Sequence, residues 1–169
     1  RYVARCGGDI PAHHVFRDRE RAASVAAHAA GLSPELVYAE AGVMVIRYIE
    51  GRTFTEADIR ANIARIVPLL AICHCELARH LAGPANTFWV FHVIRDYART
   101  LDIAGGDNDS ALARYLALVD TLEAMQAPLP IVFGHHDLLA GNFLDDGKRL
   151  WLIDWEYAGF GTAMFDLAN

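Results

Sequence analysis

The sequence predicts an α+β fold in two lobes: a small strand-rich part over residues 1–50 and a mainly helical part over residues 51–169. Three observations carry this. Short apolar strand patterns dominate the first fifty residues, around a single helix. Beyond "EGRT", Glu50 to Thr53, apolar residues recur at spacings of three and four over long runs, the period of amphipathic helices. Late in the chain, the apolar runs Ile131-Val132-Phe133 and Leu150-Trp151-Leu152-Ile153 bracket a polar, Gly-bounded loop, so the helical part carries a β-hairpin.

The elements follow in order. Tyr2 to Cys6 reads as a strand stopped by Gly7-Gly8. Arg17 to Ala30 is Ala-rich at helical spacing, and Gly31 closes it as a C-terminal cap would. Glu35 to Ala39 and Val43 to Ile49 form a strand pair around Ala41-Gly42. From Glu56, the stripe Ile59, Ile63, Ile66, Leu70, Cys73, Leu77 and Leu81 predicts a long helix that Pro68 should kink or split. A second helix runs from Phe88 to Leu101. "GGDND" is a loop, and Ser110 to Met125 is a third helix burying Leu112, Tyr115, Leu116, Val119 and Leu122. "APLP" ends it. Strand, loop and strand follow, and a last helix starts near Ala163. Gly51, where the pattern changes, is the candidate hinge.

Composition narrows the classes. Of the residues, 54% are hydrophobic and 21% charged, a globular balance. The net charge is −6 with no Lys/Arg run, so no basic face is available for nucleic acid. No stretch approaches the roughly 18 apolar residues of a membrane span, and no signal peptide is visible. The odd cysteine set, Cys6, Cys73 and Cys75, fits no disulfide framework and implies a reducing, cytoplasmic setting. The chain starts at Arg1 and stops just after "AMFDLA", so both ends read as cuts from something longer.

The loop "GHHDLLAGNFL", Gly134 to Leu144, carries the chemistry. His135-x-Asp137-Leu138-x-x-x-Asn142 has the spacing of the protein-kinase catalytic loop. Phosphoryl transfer needs a carboxylate to accept the proton of the attacking hydroxyl, and oxygen ligands for the metal that bridges the phosphates. Asp137 fits the base and Asn142 a metal ligand. Asp154, closing the next apolar run, fits the stronger ligand for Mg²⁺, a hard cation. His135 fits a structural support of the loop. Arg5 on the first strand and Glu20 early in the following helix match the strand-cation and helix-acid pair that holds ATP phosphates. "VIRYIEG" occupies the place of the lobe-connecting strand, where the backbone of Arg47 and Ile49 could hydrogen-bond adenine.

These pieces, "YVAR", "FRDRE", "VIRYIEGRT", "GHHDLLAGNFL" and "LIDWEYAGFGTAMFDLAN", resemble the choline/ethanolamine kinase family of the aminoglycoside phosphotransferase superfamily. The last piece resembles choline kinases more than antibiotic kinases. The resemblance implies a protein-kinase-like bilobal fold, ATP and Mg²⁺ as cofactors, and phosphorylation of a hydroxyl on a small choline-like or amino-alcohol substrate. It makes Asp137 the base, Asn142 and Asp154 the metal ligands, Arg5 a phosphate contact and Glu20 its partner. Asp166 would brace the catalytic loop. The family's Gly-rich phosphate loop and its C-terminal substrate helices lie outside the chain. An aminoglycoside phosphotransferase, or a catalytically dead fragment or binding module, are the competing readings.

Other features read as bland. Only Trp155 to Phe165 separates Asp154 from Asp166, too little for a regulatory activation segment. Cys73-His74-Cys75 alternates on a helix, which points its side chains apart, and no second ligand pair follows at zinc-site spacing. His136 is a loop residue. His13, His14, His28, His80 and His92 are scattered. Trp151 and Trp155 are core, and Tyr157 is given no role.

Overall fold

A computed structural model describes residues 1–103 and 110–169, so the "GGDND" loop lies outside the described residues. The first strand, β1 (Tyr2–Cys6), pairs antiparallel with β3 (Val43–Arg47), which also pairs with β2 (Leu36–Glu40). This sheet has order β1-β3-β2 and sets Arg5 opposite Met44. Between β1 and β2 runs helix α1 (Arg17–Ala29), whose Ala22, Ala23, Ala26 and Ala27 are buried. Small side chains let the helix approach its neighbours closely. Gly31 follows with φ +76°, a left-handed turn that glycine takes without strain.

The long helical run is split, but not at Pro68. Helix α2 (Glu56–Ala61) opens on a capping box: the Thr55 hydroxyl accepts the Asp58 N–H, and the Asp58 carboxylate accepts the Thr55 N–H at 2.8 Å. The break falls at Asn62, and Pro68 lies inside α3 (Ile63–Glu76). Pro68 and Ala64 are both exposed, so water can satisfy the carbonyl that loses its partner. The predicted stripe is otherwise buried at Ile66, Leu70, Cys73 and Leu77, while Ile63 is exposed.

The hairpin joins β7 (Phe143–Asp145) to β8 (Leu150–Leu152), with β4 (Arg52–Thr53) on the outer edge of β7. The run Ile131-Val132-Phe133 is not part of it. It forms β6 (Ile131–Gly134), in a third sheet of order β5-β9-β6 with β5 (Asn86–Thr87) and β9 (Gly159–Thr162). Patterning missed β4, β5 and β9. Two are only two residues long, and β9, "GFGT", carries two glycines that weaken its strand signal. Gly159 and Gly161 are needed there: a Cβ on either would meet a backbone carbonyl, of Asn86 or Phe88, at 2.7 Å.

Helices α4 (Val90–Ile103) and α5 (Ser110–Ala124) pack on each other. Only part of the expected α5 stripe is covered: Val119 is buried, whereas Tyr115 and Leu122 are exposed. Helix α6 (Ala163–Ala168) ends the chain. The core gathers Phe54, Leu70, Leu77, Phe133, Leu152 and Trp155 from all parts of the sequence. No helix of the described residues is long and apolar enough to cross a membrane.

Two seams fasten the first sheet and α1 to the rest. The Leu152 N–H donates to the Leu32 carbonyl at 2.8 Å, and Arg149 reaches the Gly31 carbonyl. Gly51 crosses the hairpin so closely that a Cβ would lie 2.5 Å from the Asp145 carbonyl oxygen and 3.1 Å from the Asp146 Cα. Both are backbone atoms that cannot step aside. Gly51→Ala is therefore expected to destabilise the fold by about 1–3 kcal/mol, the usual cost of overpacking. Chemical denaturation would register this as a lower midpoint, and an unchanged midpoint would show that the crossing is loose.

Candidate active site

The loop between β6 and β7 is built from buried histidines outward. His135 is fully buried and His136 nearly so. The His135 Nε2 faces the Ile153 carbonyl at 3.0 Å, so Nε2 carries the proton. Its Nδ1 then accepts the Asp137 N–H at 3.3 Å. Burial lowers the imidazole pKa and keeps the ring neutral, which this double role requires. His136 takes φ +62°, stacks on Phe88 at 4.3 Å, and donates from Nδ1 to the Tyr157 carbonyl.

Asp166 lies beneath these residues, 3% exposed. Its Oδ2 accepts the His135 N–H at 3.0 Å and its Oδ1 the His136 N–H at 2.7 Å. From the first turn of α6, both carboxylate oxygens thus hold the backbone of the loop.

Asp137 and Asn142 touch. The Asn142 amide donates from Nδ2 to Asp137 Oδ2 at 3.0 Å and to the Asp137 carbonyl at 2.8 Å. This assigns Nδ2 to the Asp137 side and leaves Oδ1 without a hydrogen bond among the described residues. The Asn142 carbonyl accepts the Ile153 N–H at 3.0 Å, which ties the loop to the residue before Asp154. Burial raises the Asp137 carboxyl pKa, Asn142 opposes this, and the neighbouring charges of Asp154 and Glu156 push it further up. Such a carboxylate holds a proton more readily than a free aspartate does.

Asp154 sits at φ +68°, left-handed for a residue with a side chain. The next residue holds it there. Trp155 is 1% exposed, its ring lies 4.6 Å from that of His135, and its Nε1–H donates to Ser33 Oγ at 3.2 Å. With Trp155 buried, Asp154 and Glu156 both turn toward Arg5. The Arg5 Nη1 donates to Glu20 Oε1 at 2.5 Å and to Asp154 Oδ1 at 2.7 Å, and its Nη2 reaches Glu156. Arg17 bridges Glu20 at 2.6 Å and Glu156 at 3.1 Å. Glu20 is 1% exposed, so its contact with Arg5 is no surface ion pair. Burial pushes the Glu20 carboxyl up, against the pull of Arg17 and Arg5. The three acids around it hold Arg5 charged in spite of its partial burial.

Glu156 and Arg17 had no role in the sequence reading. Arg17 stands three residues before Glu20 on one helix, a pairing spacing that could have flagged it. Glu156 becomes visible only once Trp155 is known to point inward. Of the two backbone positions expected to meet a ring, Arg47 is the poorer. Its N–H donates to the Glu35 carbonyl at 2.8 Å inside the sheet, and its guanidinium pairs with the Glu35 carboxylate. Ile49 lies beyond the end of β3, half-buried, with no backbone hydrogen bond among the described residues.

The oxygens of Asp154, Asn142 and Glu156 make a hard donor set, the chemistry that suits Mg²⁺. Cys73, His74 and Asp166 also lie close, with ligand atoms within 4.8 Å of one another. There, however, the Asp166 oxygens are taken by backbone amides, and the Cys73 thiol points at the Phe133 carbonyl.

Known proteins resemble this chain over nearly its whole length. The family model described as choline/ethanolamine kinase matches residues 2–169. Protein LicA of Haemophilus influenzae is 28% identical over 173 residues, covering 100% of this chain and 51% of its own. A choline/ethanolamine kinase family protein from Mesorhizobium loti superposes with a TM-score of 0.76 at 30% identity, covering 98% of this chain and 56% of that one. LicA in complex with AMP superposes with a TM-score of 0.78 at 26% identity, covering 99% and 58%. The chain thus spans about half the length of the relatives it matches. Its α+β fold is the kinase-like one that the sequence predicted. On the family match over nearly every residue, the chain belongs to the choline/ethanolamine kinase family.

Proposed function

We propose that this chain carries the catalytic core of an ATP-dependent kinase that phosphorylates a hydroxyl of a choline-like or amino-alcohol substrate. The observation that carries the reading is the stitched trio of Asp137, Asn142 and Asp154. Asn142 holds the Asp137 carboxylate with its side chain and the Asp154 segment with its backbone, so base and metal ligands form one rigid unit. The AMP complex of a related structure supports nucleotide binding by this fold. Family membership favours a choline-like acceptor over an aminoglycoside.

Each residue then has a part. Asp137 takes the proton of the attacking hydroxyl, and its raised pKa suits that exchange. Arg5, anchored by Glu20, faces the phosphates from the strand side. Residues 1–50 form the nucleotide-binding lobe, with the free backbone of Ile49 as the ring contact. Asp154 and Asn142 Oδ1 would hold Mg²⁺, with Glu156 beside them. When bound, Mg²⁺ neutralises charge that develops between the phosphates. Arg5 and Arg17 counter the charges of Glu20, Asp154 and Glu156, so the three acids can stand close together.

Two substitutions separate the roles. In the full chain, Asp137→Asn keeps the shape and is expected to lower kcat by about 10²- to 10⁴-fold, the usual worth of a general base. Mg²⁺–ATP affinity should stay unchanged, because the base meets the hydroxyl and not the phosphates. ADP release with choline or ethanolamine as acceptor reads the first, and nucleotide titration the second. Near-normal turnover in this variant would remove the base and with it the kinase reading. Asp154→Ala is expected to abolish Mg²⁺-dependent ATP binding while the protein remains folded by circular dichroism. Unaltered Mg²⁺–ATP affinity would take Asp154 out of the site.

A further inference from the structure

His74, from the Cys73-His74-Cys75 run, has no part in the chemistry described so far, yet it lies directly beneath the loop. Its Nε2 is 2.8 Å from Asp166 Oδ2, with side-chain exposures of 11% and 0%. An ionised carboxylate can only accept, so the imidazole Nε2–H donates. Asp166 therefore receives three N–H groups: the backbone amides of His135 and His136, and the His74 ring. Those two amides open the loop whose next residue is Asp137, and His135 in turn accepts the Asp137 N–H. A continuous series of hydrogen bonds thus runs from α3 through α6 and the loop to the Asp137 backbone.

The third donor matters because the carboxylate is buried. Two amides, one on each oxygen, leave Oδ2 with no donor on the α3 side and leave less to oppose protonation of the buried group. We propose that His74 is a positioning residue, fixing the orientation of the Asp166 carboxylate so that the loop amides, and through them Asp137, are held in the working geometry. The inference rests on Asp137 being the base.

The electrostatics agree. Burial pushes the Asp166 carboxyl up, but the His74 hydrogen bond, followed by His136 and the two loop amides, more than reverses this and holds it below the ordinary carboxylate range. The titratable groups facing Asp166 are Cys73 and His74 from α3 and His135 and His136 from the loop. A depressed carboxyl stabilises the fold at pH above its unfolded value, and that contribution disappears as pH falls through the folded value. Without His74, burial has less opposing it. Asp166 then takes up a proton at higher pH and releases one of its amides.

The test is made on the full chain with Mg²⁺, ATP, and choline or ethanolamine, comparing His74→Met, His74→Asn and His74→Gln. The Met side chain fills much of the ring's space without a donor. An Asn amide stops short of Asp166, and a Gln amide can present an N–H near the position of Nε2. The Met and Asn variants are expected to lose kcat by about 10- to 100-fold, the scale of a small displacement of a catalytic group. Their KM for ATP should be unaltered, and the acid limb of the kcat–pH profile should move to higher pH. The Gln variant should recover most of both. Should the Met variant not fold, the smaller, polar Asn variant carries the comparison. Parental kcat and acid limb in a folded Met or Asn variant would overturn the proposal, as would equal losses in all three. Asp137→Asn, assayed alongside, keeps the readings apart. If it is inactive while the His74 variants match the parent, only the positioning role fails; if it is active, the base assignment fails first.

Discussion

One guanidinium joins parts of the chain that are otherwise far apart. Arg5 is on the first strand, Glu20 is on the first helix, and Asp154 and Glu156 lie 149 and 151 residues after Arg5. Arg5 can serve all three acids because its planar fork presents several N–H groups in fixed directions, which a lysine ammonium does not. Removing one partner of such a half-buried group leaves charges without counterparts, a loss of about 3–5 kcal/mol where burial is complete. The arrangement therefore does more than bind. It fixes the first sheet against the segment after β8, and it does so at the place where charge has to be managed. Arg17 closes the group on its other side, so three carboxylates stand between two guanidiniums.

The same site contains two residues in left-handed backbone conformations, His136 and Asp154. Each such residue costs on the order of 1–3 kcal/mol and persists only if its surroundings over-determine it. The surroundings here do so. His136 is held by the Asp166 carboxylate, the Tyr157 carbonyl and the Phe88 ring. Asp154 is held between Ile153, whose N–H is bonded to Asn142, and Trp155, whose indole is bonded to Ser33. Backbone strain and polar burial are concentrated in one small volume, and the apolar core from Phe54 to Trp155 supports it from below.

Much of this was legible in the sequence, for identifiable reasons. The β1 strand, α1 and its Gly31 terminus, and α6 follow from local pattern and cap chemistry. The pairing of Arg5 with Glu20 follows from a strand cation matched to a helix acid, whereas the contact between Asp137 and Asn142 emerges only in the folded loop. What stayed hidden depended on partners distant in sequence. The helix continues through Pro68, where the carbonyl of Ala64 that loses its partner is open to water, and the break falls at Asn62 instead. Strand β9 forms because β5 and β6 flank it, not because "GFGT" favours a strand. The apolar residues on α5 suggest a buried stripe, yet α4 covers only part of it, and Tyr115 and Leu122 are exposed. Glu156 and His74 acquire their contacts only when Trp155 turns inward and α6 meets α3.

Cys73 brings a different consequence. It is fully buried, its thiol donates to the Phe133 carbonyl, and burial pushes its pKa far up, whereas Cys6 and Cys75 are exposed. Since the thiolate is the reactive form, an alkylating reagent meets two available sulfurs and one that is silent. The silent one lies between α3 and β6, immediately under the loop that holds Asp137. Its rate of labelling would therefore report how often the floor of the site opens, which makes Cys73 a native clock for local unfolding at the one place where rigidity matters most.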